Sequence, residues 1–178
     1  MTRPILGTIA ALLVAHVLTA PALNAQTGAK ESLGVYSGWA AFRDEAKARC
    51  YAIARPRGDD GADGRGAFAS VASWPALGIR GQIHIRLARK AAPGSSPVLR
   101  IGSRRFELAA SGRDAWARDA AMDAAIIAAM RSAETFRVSA RAAGGGLFTS
   151  RYDLDGIATA IDAAVVGCAS MSRRASPA

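Results

Sequence analysis

The fold of this chain is decided between Phe106 and Cys168, where the order of structural elements is easiest to read. In sequence, this stretch contains F-E-L (106–108), A-W-A (115–117), D-A-A-M-D-A-A-I-I-A-A-M (119–130), G-G-G (144–146) and Y-D-L-D-G-I (152–157). The order predicts short strands, a helix, a glycine hairpin and a second helix that ends near the cysteine.

Both helices have recognisable boundaries. Asp119 is placed as an N-cap before a helix that carries Met122, Ile126 and Met130 four residues apart on one face. Asp155 is placed in the same way before a second helix, which we expect to end at Gly167 because glycine is common just past helix C-termini.

The remaining pattern is that of strands. They are predicted at 35–43, 49–55, 68–74, 79–87, 98–101, 105–109, 135–142 and 147–154. The clearest alternation is in the strand at 79–87, with Ile83, Ile85 and Leu87 on one face and His84 and Arg86 on the other. This pattern is typical of an antiparallel strand with one buried and one solvent-exposed face. Runs of strands with two isolated helices predict a mainly β fold, an antiparallel β-sandwich or barrel-like domain with two short α-helices.

The N-terminus has the features of an export signal. Arg3 provides a positive start, an apolar run covers 5–17, and small residues follow at 20–22 and at Ala25. The run is shorter than the roughly 20 apolar residues that a spanning helix needs. We therefore predict a signal peptide at 1–25, one domain at 26–170 and a disordered tail at 171–178. The mature protein is predicted to be periplasmic or secreted and not an integral membrane protein.

The two cysteines, Cys50 and Cys168, both lie beyond the predicted signal. In an oxidising compartment an even pair is most simply one disulfide. Cys168 falls three helical turns after Ile157 and is expected to share an inward face with Ile161 and Val165. A Cys50–Cys168 bridge would tie the last helix to an early strand. No C-x-x-C redox motif is present.

The charge of the chain is strongly positive, with a formal net charge of +9. No acidic residue lies between Asp63 and Glu107, so this interval carries one sign of charge. Its candidate residues for binding an anionic partner are Arg80, Arg86, Arg89, Lys90, Arg100, Arg104 and Arg105. Such a region attracts polyanions. The expected partners are an anionic lipid, lipopolysaccharide or an acidic envelope protein, and not nucleic acid; the alternative is a solvated basic face.

Catalytic and metal-binding residues are scarce. His84 is the only histidine beyond the predicted signal, which rules out a multi-histidine metal site, and no G-x-S-x-G motif accompanies it. His84 is predicted to be a solvated or packed surface residue. The D-D-G-A-D-G run at 59–64 departs from a calcium loop at its third and twelfth positions. We predict no catalytic residue, no cofactor and no metal.

Two further groups have structural explanations. Asp114, Asp119 and Asp123 are spaced closely enough to suggest paired carboxylates, but their position near a helix start favours capping. The three tryptophans of this aromatic-poor chain are predicted to fill the core or its edge rather than to line a ligand groove.

The chain resembles the invasion-associated locus B family of bacterial envelope proteins. The resemblance rests on the motifs quoted above, on Gly112 and Cys168 and, more loosely, on Trp39 and Cys50-Tyr51. The resemblance covers most of the predicted mature chain. It implies a secreted or periplasmic β-sandwich-like protein of a Gram-negative bacterium. It does not carry a role in invasion over to this chain.

The sequence therefore favours a non-catalytic envelope protein that acts through surface binding. Two alternatives stay open: an enzyme acting on cell-wall or glycan material, and a secreted factor that interacts with a host.

Overall fold

The computed structural model describes residues 30–58 and 66–175. The strands are β1 (Lys30–Tyr36), β2 (Trp39–Asp44), β3 (Arg49–Ala54), β4 (Phe68–Trp74), β5 (Ile79–Arg86), β6 (Val98–Ile101), β7 (Arg104–Glu107), β8 (Ala109–Ser111), β9 (Asp114–Trp116), β10 (Thr135–Arg141) and β11 (Leu147–Asp153). The helices are α1 (Ala120–Met130) and α2 (Ile157–Ala175). The predicted signal peptide at 1–25 and the acidic run at 59–64 lie outside the described residues.

The strands form two antiparallel sheets. One has seven strands in the order β1-β2-β3-β4-β5-β9-β8, and the other has four in the order β11-β10-β6-β7. The sheets are not closed into a barrel, so of the two predicted architectures the sandwich-like one is confirmed. The hairpins that join β6 to β7 and β10 to β11 are also confirmed.

One core cluster joins the inward faces of both sheets and the two helices. Its centre includes Ile83, Ile85 and Leu87, which are fully buried as their alternation predicted. From the other sheet, the stacked rings of Phe136 and Tyr152 lie with centroids 4.6 Å apart. Burying side chains of this size contributes about 1.5–3 kcal/mol each.

Helix α1 begins as the sequence predicted. The Asp119 carboxylate accepts a hydrogen bond from the backbone N–H of Met122 at 2.7 Å, and Ile126 and Met130 are buried. The helix contacts β5, β6 and β7, so it covers the place where the two sheets meet.

Helix α2 packs on β1, β2 and β3, on the part of the seven-stranded sheet nearest its β1 edge. The disulfide between Cys50 and Cys168 is present, with 5.7 Å between the Cα atoms, and it fixes this helix to β3. Ile157 and Ile161 point inward as predicted, but Val165 does not, because 54% of its surface is exposed.

Three predicted boundaries are wrong. The strand expected at 105–109 is divided, since β7 ends at Glu107 and β8 begins at Ala109 in the other sheet. The strand expected at 35–43 is a hairpin, since the chain turns at Ser37 and Gly38 between β1 and β2. Gly167 does not end α2, which continues to Ala175 and so enters the segment assigned to a tail. A Cβ at Gly167 would lie 2.4 Å from a methyl carbon of Leu33, so this glycine permits close packing of α2 on β1 rather than capping the helix.

Within the described ranges, no helix is both long enough and apolar enough to cross a membrane.

Candidate anion-binding face

The structure distributes the seven predicted basic residues over several surfaces. Arg100 and Arg105 lie on the outer face of the four-stranded sheet, in β6 and β7. Arg104 turns the other way, because its guanidinium lies 5.3 Å from the Phe106 ring centroid and contacts the Ala125 carbonyl of α1. The others lie on or just after β5, at Arg80, Arg86, Arg89 and Lys90.

Strand register builds a row of arginines across the four-stranded sheet. The residues directly opposite one another are Arg105 and Arg100, Arg100 and Arg137, and Arg137 and Arg151. All of them are exposed. Neighbouring strands lie about 4.8 Å apart, so the row extends over roughly 14 Å of the outer face. We call Arg105, Arg100, Arg137 and Arg151 the arginine row.

The centre of the arginine row lacks acidic neighbours. Arg105 is paired with Glu107 at 2.6 Å, in its own strand. In the described part of the chain, neither Arg100 nor Arg137 has a carboxylate within ion-pair distance. Like charges directly opposite each other on a sheet are destabilising. The row is therefore not explained by a contribution to folding.

Hydroxyl groups lie beside the arginine row on the same face. Ser139 and Thr149 are opposite each other in β10 and β11, with 2.8 Å between their oxygens. Beyond them lies Arg141, which is exposed and faces Leu147 across the hairpin. Guanidinium and hydroxyl donors close together are the groups that bind phosphate and carboxylate oxygens.

On the outer face of the seven-stranded sheet, the charge of Arg86 is paired with a carboxylate. Arg86 lies opposite Asp114 of β9 and donates to that carboxylate at 2.6 Å. The His84 ring lies 2.9 Å from the other oxygen of Asp114. Although burial alone would raise the pKa of Asp114, the hydrogen bonds from Arg86 and His84 hold it below its usual value. The charge of Arg86 is therefore compensated by an ionised carboxylate.

The surroundings of His84 do not form a nucleophile and base pair. Ser70 is opposite His84 in β4, but its hydroxyl donates to the His84 backbone carbonyl at 3.4 Å. The ring itself packs edge-on against Phe68, with centroids 5.2 Å apart. A serine hydrolase needs the hydroxyl bonded to the imidazole. The ring is instead packed and paired, which agrees with the prediction of a packed surface histidine.

The explanation of Asp114 and Asp123 as caps is wrong. Asp114 belongs to β9, and Asp123 accepts a hydrogen bond from the Ile83 backbone N–H at 2.8 Å, so it joins α1 to β5. Burial raises the pKa of Asp123, and the nearby charge of Asp119 adds to the rise. In residues 30–58 and 66–175, no three His, Cys, Asp or Glu side chains lie close enough to hold a metal.

The three tryptophans occupy different environments. Trp39 is fully buried and donates through its indole N–H to the Asp153 carbonyl at 2.8 Å. Trp74 is partly buried, with the guanidinium of Arg49 5.9 Å from its ring centroid, and Trp116 is 37% exposed. The prediction of core and core-edge positions is therefore confirmed for Trp39 and Trp74 and is wrong for Trp116, which is exposed.

Arg137 and Arg151 were not predicted as binding residues, because both lie outside the acid-free interval between Asp63 and Glu107. A signal was available, since both residues occupy polar-face positions of the predicted hairpin and a symmetrical pairing about the glycines places them opposite each other. The pairing of β10 with β6 joins them to Arg100, and it connects segments far apart in sequence.

Comparison with known proteins supports the fold and not a function. No protein-family profile matches the sequence, and no curated protein matches it. Among solved structures, the chain is similar to the crystal structure of invasion associated protein B from Bartonella henselae, with a TM-score of 0.57 and 13% sequence identity. The match covers 76% of this chain and 96% of that one. At this identity the match shows a shared fold and nothing further.

Proposed function

We propose that this chain is a non-catalytic, exported envelope protein that acts by binding an anionic envelope component through the arginine row. The observation that carries the proposal is the pair Arg100 and Arg137, which face each other on an exposed sheet without a carboxylate partner in the described ranges. The shared fold with invasion associated protein B supports a relationship to envelope proteins of the invasion-associated locus B type.

The chemistry of the row favours an array of phosphates over a single small anion. Each guanidinium offers a planar fork of N–H donors that matches phosphate oxygens. Four of them spaced along roughly 14 Å match a surface on which charges repeat, such as a layer of lipid headgroups. The net charge of +9 adds long-range attraction to such a surface.

The partner we propose is the phosphate layer of anionic lipid or lipopolysaccharide. The outer face offers guanidinium and hydroxyl donors. The two carboxylates that its described strands carry are already in ion pairs, Glu107 with Arg105 and Arg118, and Asp153 with Arg57. Binding would replace the repulsion between Arg100 and Arg137 with attraction to an intervening phosphate.

The test is co-sedimentation with phosphatidylglycerol vesicles, with phosphatidylcholine vesicles as the neutral reference. The wild type is expected to bind the anionic vesicles, and binding should weaken steeply between low and physiological salt, because exposed charges are screened over about 8–10 Å. The double variant Arg100→Glu with Arg137→Glu should abolish binding. Lipopolysaccharide is tested in the same way.

The matched control is Lys30→Glu with Lys47→Glu, which changes the net charge equally at two exposed residues near the β1 edge of the other sheet. This control should retain most of the binding. Equal loss in both double variants would mean that net charge alone drives association. Absence of salt-dependent binding by the wild type to both anionic surfaces would contradict the proposal.

A further inference from the structure

A groove of about 850 Å³ lies away from the arginine row, between the two helices and the start of β5. Its walls include Ile127 and Ala128 of α1, Ile161 and Val165 of α2, and Ile79 of β5. Sites for small organic ligands have volumes of about 300–1,000 Å³ and predominantly apolar walls. The groove fits both conditions.

The groove exists because small residues bring three elements together without filling the space between them. Gly81 in β5 has a φ of +76°, and a Cβ there would lie 2.7 Å from the Cδ1 atom of Ile127. Ala124 and Ala128 present only methyl groups from α1. Larger residues at these positions would occupy the groove.

Apolar surface is left open at the groove. Val165, which the helical pattern places inward, is 54% exposed where it lines the cavity. Leu77 is 69% exposed and sits between two lining residues, Ala76 and Gly78. Covering such side chains with an apolar ligand removes them from water and so stabilises a complex.

Among the described residues, the charged side chains that line the groove are Arg80 and Arg131, and no carboxylate belongs to the lining. Arg131 is held by Asp162 at 2.6 Å, and this contact lowers the pKa of Asp162. Arg80 is exposed and has no ion pair within the described ranges. One guanidinium at an apolar cavity is therefore left to bind an anion.

We propose that this groove binds a single-chain anionic amphiphile of the long-chain carboxylate class. The acyl chain lies against Ile127, Ile161 and Val165, and the carboxylate binds Arg80. Apolar walls disfavour a sugar or a bare phosphate, and the two arginines disfavour a cationic amphiphile. The site is independent of the arginine row, which lies on the outer face of the other sheet.

The test uses cis-parinarate, a fatty acid whose fluorescence rises in an apolar environment, with delipidated full chain whose disulfide is intact. The wild type is expected to enhance the fluorescence saturably, and hexadecanoate should displace the probe. Hexadecyltrimethylammonium, with the same chain length and opposite charge, should not. Arg80→Glu should weaken binding about tenfold or more, since a charge-assisted contact becomes repulsive.

A second variant tests the apolar part. Ala128→Trp fills the groove from an exposed position of α1 and should abolish probe binding, and Ala124→Leu does the same with a smaller side chain if the tryptophan variant fails to fold. Arg100→Glu, in the arginine row, should leave probe binding unchanged. Lack of saturable binding by the wild type, or affinities unchanged by Arg80→Glu or by the filling variants, would overturn the proposal.

Discussion

The outer faces of the two sheets both carry arginines, but they differ in what lies opposite those arginines on the neighbouring strand. On the seven-stranded sheet, Arg86 faces Asp114 across the strand pair and is compensated. On the four-stranded sheet, Arg100 faces Arg105 on one side and Arg137 on the other. The difference lies in the residue that the register places opposite each arginine, a carboxylate for Arg86 and further arginines for Arg100.

A stretch of sequence without acidic residues therefore does not necessarily form a surface without acidic residues. Asp114 comes from beyond the interval and neutralises Arg86, which lies inside it. Arg137 and Arg151 come from a later hairpin and extend the basic surface. Cross-strand pairs, rather than neighbours in the chain, determine the local charge of a sheet.

The largest expected effect concerns the scaffold beneath both faces. Replacing both cysteines, Cys50→Ala with Cys168→Ala, should lower the free energy of unfolding by about 2–5 kcal/mol, because the bridge closes a loop with a sequence separation of 118. Urea denaturation of the wild type and the variant measures the difference. Both thiols found free by mass spectrometry of the native protein would contradict the account.

A smaller effect tests the compensated face. Asp114→Asn should lower the free energy of unfolding by about 0.5–1 kcal/mol, a value kept small because about a third of each partner is exposed. It should also leave Arg86 as uncompensated as Arg100, so weak binding to anionic vesicles should appear on this face. Binding of the variant equal to that of the wild type would remove the proposed distinction between the faces.

The pH dependence of that variant follows from the lowered pKa of Asp114. Because the folded pKa lies below the unfolded value, the stabilisation is fully present above about pH 4 and is lost as the pH falls through the folded pKa. The stability difference between wild type and Asp114→Asn should therefore shrink in acid. A difference that stays constant from pH 7 to pH 2 would contradict this assignment.

The smallest effect tests the cost of the arginine row. Arg100→Thr and Arg137→Thr should each leave stability unchanged or raise it by about 0.2–1 kcal/mol, because like charges face each other and threonine suits a strand. Added salt should stabilise the wild type more than either variant, since it screens the repulsion. Clear destabilisation by both substitutions would mean that the row contributes to folding.

Much of the fold was predictable because local chemistry and alternation act over short distances. The Asp119 cap, the β10 to β11 hairpin and the inward face of β5 follow from residues close in sequence. The disulfide was predictable because only two cysteines remain beyond the predicted signal and Cys168 lies on an inward helix face. These features depend little on how the sheets are assembled.

The features that sequence reasoning missed depend on contacts between distant segments. Gly167 has the chemistry of a helix end, but its packing against Leu33 is what requires a glycine. Asp123 lies in the first turn of α1, yet its carboxylate bonds to β5. The arginine row needs four strands in register, and no single segment contains more than two of its members.

The most direct test of the central claim is arginine footprinting with phenylglyoxal, followed by mass spectrometry, with and without phosphatidylglycerol vesicles at low salt. We predict that the vesicles protect Arg100 and Arg137 from modification and leave Arg80 as reactive as before. Neutral phosphatidylcholine vesicles should protect none of the three. Protection of Arg80 with continued reactivity of Arg100 and Arg137 would contradict the claim that the arginine row is the binding face.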